Sequence, residues 1–143
     1  MQILSNPVFQ TILSGVFVFI FGETIQRFIL DPLKDFKKTI GKIDNKLKFH
    51  SNIITSPKLA GDLAPELYKF LRELSCDLES AYKQIPFKTL FRLICILPKH
   101  KNVSEAAKKL IFLSNSVNKN GIPRENDAAL EEIRENLGIP SLK

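Results

Sequence analysis

The chain has 143 residues, 44% of them hydrophobic, and a formal net charge of +6 at pH 7. This length allows one small domain beyond a membrane segment and excludes two. The positive charge suits an anionic membrane surface and a nucleic acid equally well, so charge alone does not choose between these partners.

The N-terminal segment predicts a retained transmembrane helix. The first 22 residues carry no charged side chain, and the next 26 contain seven lysines and arginines. A hydrocarbon core of about 30 Å needs about 20 mainly apolar helical residues, which Ile3–Gly22 supplies. A cleaved signal peptide would have basic residues before the apolar run, and a core helix would have a charged face. The basic flank predicts an N-terminus outside the bacterial inner membrane and a cytoplasmic body.

The rest of the chain has helical periodicity and no alternating strand pattern, which predicts an all-α fold. We assign residues 1–31 to the transmembrane helix with its extension, and residues 32–143 to a compact cytoplasmic bundle of about five helices. Asp31-Pro32 should end the first helix at about Leu30, since the residue before a proline avoids helical geometry.

The second helix is predicted over Leu33 to Ile54, and its apolar positions form a heptad seam. Such spacing favours packing against another helix, with the membrane surface as the alternative. We expect the seam to align neighbouring subunits of a homo-oligomer, and we expect its histidine to have a structural role. The seam residues are Leu33, Phe36, Ile40, Ile43, Leu47, His50 and Ile54.

Proline, glycine and capping patterns predict the remaining elements. Cys76 and Cys95 fall in apolar helical patterns and are expected to be buried free thiols. A loop is predicted at Thr55–Asp62, followed by a helix to about Gln84. A short helix then begins at Pro86 and ends at Pro98, with apolar positions Phe87, Leu90, Phe91, Ile94 and Leu97. The last predicted elements are a helix over Val103–Val117 with an Asn102/Glu105 capping box, a turn at Asn118–Pro123, and a helix over Asp127–Leu137 with Gly138 as its C-cap.

The predicted membrane helix has two different sides. At about 100° per residue, bulky side chains such as Phe9, Val16 and Ile20 cover one arc. Glu23 and Arg27 should form an exposed ion pair at the membrane edge. Small residues allow close helix approach and polar ones seek partners, so we predict a homo-oligomer, with chance segregation or a simple dimer as alternatives. The pore-lining or helix-packing positions are Gln10, Thr11, Ser14, Gly15, Val18, Gly22 and Gln26.

A catalytic site is not expected. There is no Gly-rich phosphate loop and no metal-ligand spacing, so we predict no cofactor, no metal and no small-molecule substrate. A helical HEPN-type ribonuclease would use an arginine and a nearby histidine. The nearest pair, Arg92 and His100, is separated by seven residues that include Pro98, which is one residue more than that motif allows.

Residues 83–119 form a basic stretch with a single acid, Glu105. This pattern predicts a face for anionic lipid headgroups or RNA phosphates, with a solvated lysine face as the alternative. The last helix is acidic and is expected to meet the basic stretch of a neighbouring subunit. The residues of the predicted anionic-partner face are Lys83, Lys88, Lys99, Lys101, Lys108 and Lys109.

Several short segments together resemble a known family. In order, they are Gly15–Phe19, Leu30–Leu33, Ile40–Ile43, Ile85–Phe87, Pro98–Val103 and Leu113–Ser116. They resemble the small single-span membrane accessory proteins of type VI-B CRISPR systems. The resemblance implies a HEPN-like helical body, a homo-oligomeric pore that depolarises the infected cell, and an RNA-guided nuclease or RNA as partner. The alternatives are a membrane-tethered HEPN-like ribonuclease and a non-conducting scaffold that recruits an RNA-bound partner.

Overall fold

The computed structural model describes residues 7–59, 61–94, 96–119 and 121–140. Within these ranges every regular element is a helix, which confirms the predicted all-α class. Residues Met1–Asn6, at the outer end of the predicted span, and Cys95, a predicted buried thiol, lie outside the described residues.

The first 43 described residues, Pro7–Phe49, form one continuous helix. It consists of α1 (Pro7–Ile25), a π-helical turn (Gln26–Leu30) and α2 (Asp31–Phe49). The predicted break at Asp31-Pro32 is wrong, because Asp31 is helical (φ −67°, ψ −46°) and its N–H donates to the carbonyl of Gln26. This bond reaches back five residues, so the π turn shifts the hydrogen-bond register directly before Pro32 and the helix continues.

The α1 helix is apolar and buries none of its residues. Val18 is 73% exposed and Phe19 is 69% exposed. A core helix of a soluble protein would cover such side chains, because leaving them in water forfeits the hydrophobic stabilisation of folding. The chain therefore has one helix, near its N-terminus, that is long and apolar enough to cross a membrane.

The α2 helix runs away from α1 and packs antiparallel to α4 (Ala64–Gln84). Near its start, the Phe36 and Tyr82 rings meet with centroids 5.5 Å apart. Further along, the Lys46 ammonium lies 4.7 Å from the centre of the Phe70 ring. The C-terminal end of α4 therefore lies beside the start of α2. We call this the α1 end of the bundle and the opposite end the far end.

Two further helices complete the bundle, α6 (His100–Asn118) and α7 (Pro123–Leu137). The α6 helix runs antiparallel to α4, because Tyr82 donates to the Pro98 carbonyl (3.2 Å) and Ser75 to the Ala107 carbonyl (2.9 Å). Lys109 and Glu132 pair at 2.7 Å across α6 and α7, which are antiparallel in turn. The α1 end therefore contains the start of α6 and the end of α7.

The heptad seam packs inside one chain. Phe36, Ile43, Leu47 and Ile54 are at most 1% exposed and belong to the core that α4, α6 and α7 share. The seam therefore packs against helices of its own chain, and its four fully covered side chains are not available to a second copy, while Leu33, Ile40 and His50 are only partly buried. The predicted continuous helix Leu33–Ile54 is wrong.

That second helix ends at Phe49 because the backbone of His50 leaves helical geometry (φ −100°, ψ 12°). A short helix, α3 (Ser51–Thr55), follows. It places Ile54 against α7, where the Ile54 carbonyl accepts a hydrogen bond from the Asn126 amide (2.6 Å). Tertiary packing at the far end thus overrides the local helical pattern.

Several predicted helix ends differ from the observed ones. The α5 helix (Lys88–Leu93) leaves Pro86 outside its first turn. The α6 helix starts at His100, where Lys99 is the N-cap residue without a side-chain cap bond, so Asn102 caps nothing. The α7 helix starts at Pro123, four residues earlier than predicted, because a proline fits the first helical turn.

Two local predictions have opposite outcomes. Gly138 ends α7 in the left-handed region (φ 68°), as predicted for a glycine C-cap. Cys76, predicted to be a buried thiol, is free but exposed. It lies on the outer side of α4, next to the buried pair Leu74 and Ser75, because an amphipathic helix turns each successive residue by about 100°.

Candidate functional site

The predicted pore-lining or helix-packing positions of α1, which we call the stripe, have mostly small side chains and offer few free polar groups. They are Gln10, Thr11, Ser14, Gly15, Val18, Gly22 and Gln26. The Thr11 hydroxyl donates to the carbonyl of Pro7 (2.9 Å), and the Ser14 hydroxyl donates to the carbonyl of Gln10 (2.7 Å). Hydroxyls that bond back to their own helix need no partner from another helix or from water. Thr11 and Ser14 therefore offer few free hydrogen-bonding groups to a neighbouring helix, but their small side chains allow such a helix to approach closely.

The two glycines of the stripe have no role in packing within the chain. A Cβ atom built at Gly15 or Gly22 meets no other atom within 4 Å. Glycine inside a helix costs about 0.5–1 kcal/mol relative to alanine, so something outside the chain must favour it there. Close approach of a second transmembrane helix is such a reason, because small residues let helix backbones come together.

The stripe continues into the π turn at the inner end of α1. A groove here is lined by Val18, Gly22, Glu23, Gln26 and Asp31, among others. Glu23 and Arg27 form the predicted ion pair at 2.5 Å, with both side chains largely exposed. Polar and charged side chains thus begin where the apolar run ends, as expected for the boundary between hydrocarbon and headgroups.

Arg92 and His100 do not converge on one site. Arg92 lines a cavity of about 810 Å³ together with Leu93, Lys99 and Glu135. His100 lines a different cavity, and its ring lies 5.6 Å from that of Tyr82. A ribonuclease pair must reach one phosphodiester group from both sides, so this arrangement does not favour the predicted alternative. Among the described residues, no three His, Cys, Asp or Glu side chains gather as a metal site would require.

The six lysines of the predicted anionic-partner face differ in whether an acidic side chain of the same chain neutralises them. Three of them are paired within the chain: Lys83 with Glu79 (3.4 Å), Lys108 with Glu105 (2.9 Å) and Lys109 with Glu132 (2.7 Å). The last pair shows the acidic α7 meeting the basic stretch of its own chain, where the sequence predicted a neighbouring subunit.

The ion pair on α6 also changes a protonation equilibrium. The hydrogen bond from Lys108, helped by the charge of that lysine, lowers the pKa of the Glu105 carboxyl.

The other three lysines of the predicted face are not neutralised in this way. Lys99 and Lys101 remain exposed without an ion pair among the described residues, and Lys88 donates to the Lys83 carbonyl (2.9 Å). The uncompensated positive charge therefore collects at the α1 end of the bundle.

An exposed apolar surface at this end, which was not predicted from the sequence, is called here the α5 patch: Phe87, Leu90, Leu93, Ile94 and Ile96. Phe87, Leu90 and Ile94 were predicted as apolar positions of a bundle helix, but only Phe91 and Leu97 of the five predicted positions contact the core. The sequence did contain an indication of this surface, because residues 83–101 contain five lysines and arginines and no acid. Such a composition is typical of segments at a membrane interface.

No family model, curated protein or solved structure matches this chain.

Proposed function

We propose that this chain is a non-enzymatic, single-span inner-membrane protein that assembles through α1 into a homo-oligomer and permeabilises the membrane. The observation that supports it best is that α1 is fully exposed and places its glycines on one stripe, where they serve no contact within the chain. The role in antiviral defence, with an RNA-guided nuclease as partner, rests on the resemblance to membrane accessory proteins of type VI-B CRISPR systems.

In the proposed assembly the stripe faces the axis and the bulky arc faces lipid. Gly15, Val18 and Gly22 then lie at the middle and inner part of the span, and Val18 has the largest side chain of these three. Since Thr11 and Ser14 bond to their own backbone, the lining offers water few partners. Narrow apolar constrictions close by dewetting, so we propose a pore that conducts only when its helices move apart.

The body is held in the cytoplasm in this proposal, as the lysine-rich flank after α1 favours. In this proposal the heptad seam is not the main contact between subunits, because Phe36, Ile43, Leu47 and Ile54 are buried within the monomer. Contacts between subunits are therefore expected mainly in the membrane, which makes α1 the right target for a test.

The test replaces Gly15 and Gly22 together by leucine. Neither side chain meets another atom of its own chain, and leucine favours helix more than glycine does, so the monomer should insert normally. We expect loss of ion flux from liposomes and loss of large particles in detergent. The matched control adds volume to the bulky arc by Ile12→Phe and Val16→Phe, and it should leave flux and particle size unchanged. Undiminished flux in the double leucine variant would reject the pore.

A second candidate is a non-conducting scaffold that recruits an RNA-bound partner. It is favoured by the exposed ammonium groups of Lys99 and Lys101, which have no acidic partner in the described part of the chain. Full-length protein in detergent should then bind RNA with an affinity that falls steeply with salt, because phosphate contacts release counterions. Salt-sensitive RNA binding together with absent ion flux would favour the scaffold over the pore.

A further inference from the structure

Outside α1, the α5 patch is a strongly exposed apolar surface. Phe87 is 69% exposed and Leu93 is 80% exposed. Leu90 and Ile94 lie about one helical turn apart and are also exposed, whereas Phe91 packs against the core. A folded body seldom leaves such side chains together in water, because exposed apolar patches mark binding surfaces.

The backbone at the start of the patch is in an unusual conformation. Phe87 has φ 47° and ψ 36°, and it is the single non-glycine residue with positive φ in the described ranges. For a bulky side chain this left-handed geometry is unfavourable. The turn nevertheless places Ile85 in the core at 1% exposure and the Phe87 ring outside it. Strain that exposes an aromatic ring indicates a role for that ring outside the monomer.

The patch lies beside the inner end of α1. A cleft of about 530 Å³ is lined on one side by Thr24, Ile25 and Phe28 of the continuous helix, and on the other by Pro86 and Phe87. Thr24 and Phe28 follow Gly22 by two and six residues, which is about 3–9 Å along a helix. The polar layer of a bilayer is about 5–8 Å thick on each side. A span that ends at Gly22 therefore holds Phe87 at the level of the headgroups.

The charge around the patch is mainly positive. Lys83, Lys88, Arg92, Lys99 and Lys101 occur within residues 83–101, which contain no aspartate or glutamate. One carboxylate from elsewhere, Glu135 of α7, lines the cavity next to Arg92 and Lys99. Apolar side chains surrounded by cations are the pattern by which segments bind anionic membrane surfaces in the plane of the headgroups.

We propose that the α5 patch docks into the anionic inner leaflet, so that the body is held to the membrane at a second point besides α1. The occupant of this surface is the lipid bilayer itself. The inference depends on α1 crossing the membrane but not on pore formation, so it can fail or succeed independently of ion flux. Docking at two points fixes the tilt of the continuous helix Pro7–Phe49 relative to the membrane, which α1 alone would leave free to vary.

The chain contains no tryptophan, which provides a direct test with the full-length protein. Phe87→Trp places one fluorophore in the patch, and Phe49→Trp serves as the matched control. Phe49 is an equally exposed aromatic residue (77%) at the far end of α2. It follows Leu30 by 19 residues, which is about 28 Å along the helix, so it lies well outside the headgroup layer.

Both variants are reconstituted in liposomes that contain anionic lipid, with and without lipids brominated in their acyl chains. We expect a blue-shifted emission for Phe87→Trp that brominated lipid quenches, and a solvent-like emission for Phe49→Trp that it does not. A blue shift without quenching would mean that protein covers the patch, and a solvent-like emission would mean that nothing does. Either result would overturn the proposal, whatever the ion flux of the same liposomes.

The charged part of the proposal has its own test. Lys99→Gln with Lys101→Gln in the Phe87→Trp background should lower the equilibrium constant for docking by roughly fivefold for each cation removed at low salt, and the quenched fraction should fall accordingly. The control pair, Lys37→Gln with Lys38→Gln, removes two cations of α2 and should have a smaller effect. Quenching that is equal in purely zwitterionic liposomes would refute the requirement for anionic lipid.

Discussion

Asn126 is the buried polar residue whose replacement should be most damaging. Its side chain is fully buried, its Nδ2 donates to the Ile54 carbonyl (2.6 Å) and its Oδ1 accepts from the Ser116 hydroxyl (2.5 Å). It thereby joins α7 to α3 and α6. Asn126→Leu keeps the branched arrangement of the side chain's heavy atoms, but both partners lose their hydrogen bond.

The size of the effect follows from these two orphaned groups. A buried donor or acceptor without a partner costs about 1–3 kcal/mol, which gives about 2–6 kcal/mol for the pair. Since domains of this size are stable by about 5–15 kcal/mol, the variant should lose a large share of its stability. Ser116→Ala added to Asn126→Leu removes one orphan, so the double variant should regain about 1–3 kcal/mol.

The assay is urea unfolding of the full-length protein in detergent micelles, followed by circular dichroism. Asn136→Leu is the control, because the Asn136 amide bonds only to the Glu132 carbonyl of its own helix (2.9 Å) near the surface. That change should be within about 0.5 kcal/mol of the original chain. If the two leucine variants were equally stable, the argument from buried hydrogen bonds would be refuted.

Three further predictions concern Arg134, His50 and Cys76. Arg134 is 2% exposed, its Nη1 lies 3.9 Å from a Glu131 carboxylate oxygen, and its Nε and Nη2 atoms have no hydrogen-bond partner among the described residues. Arg134→Met should therefore leave stability unchanged or raise it by about 1–4 kcal/mol, measured by the same unfolding assay. Burial, and then the charge of Lys46, lower the pKa of His50, while the charge of Glu66 raises it. The free energy of unfolding should therefore fall as the pH drops below about 6.5. His50→Gln should reduce this pH dependence in unfolding curves measured across the same range. Cys76 is exposed, so a membrane-impermeant maleimide should label it in inverted but not in right-side-out vesicles of a Cys95→Ala strain.

The outcomes that would contradict these predictions are distinct. A loss above about 1 kcal/mol in Arg134→Met would show that the guanidinium is compensated after all. For His50, a folded-state pKa below the ordinary value means that the unfolded chain binds the proton more readily than the folded chain. A free energy of unfolding that rises on acidification would therefore contradict the lowered pKa. Labelling of Cys76 in right-side-out vesicles would place the body outside the cell.

Prediction from the sequence succeeded where the signal is local. The all-α class follows from periodicity, and the Gly138 cap follows from the freedom of glycine to take positive φ. The Glu23–Arg27 pair follows from helical spacing. Each of these depends on residues within one or two turns, so the rest of the fold cannot change it much.

Prediction failed where several elements compete for the same residues. The Asp31-Pro32 break was overridden by a π turn, which no propensity indicates. The slender stripe of α1 was visible in the sequence, while the structure added that its hydroxyls bond to their own helix and that its glycines meet nothing.

The sequence by itself determined that an apolar, uncharged helix precedes a basic helical body, because hydropathy and charge are properties of consecutive residues. Only the tertiary structure decided which apolar faces meet. It buried the heptad seam of α2 inside the monomer, and it left the α5 patch exposed beside the end of α1. Both faces are apolar at helical spacing, so burial depends on where α4, α6 and α7 lie in space, and that information is not local to either helix.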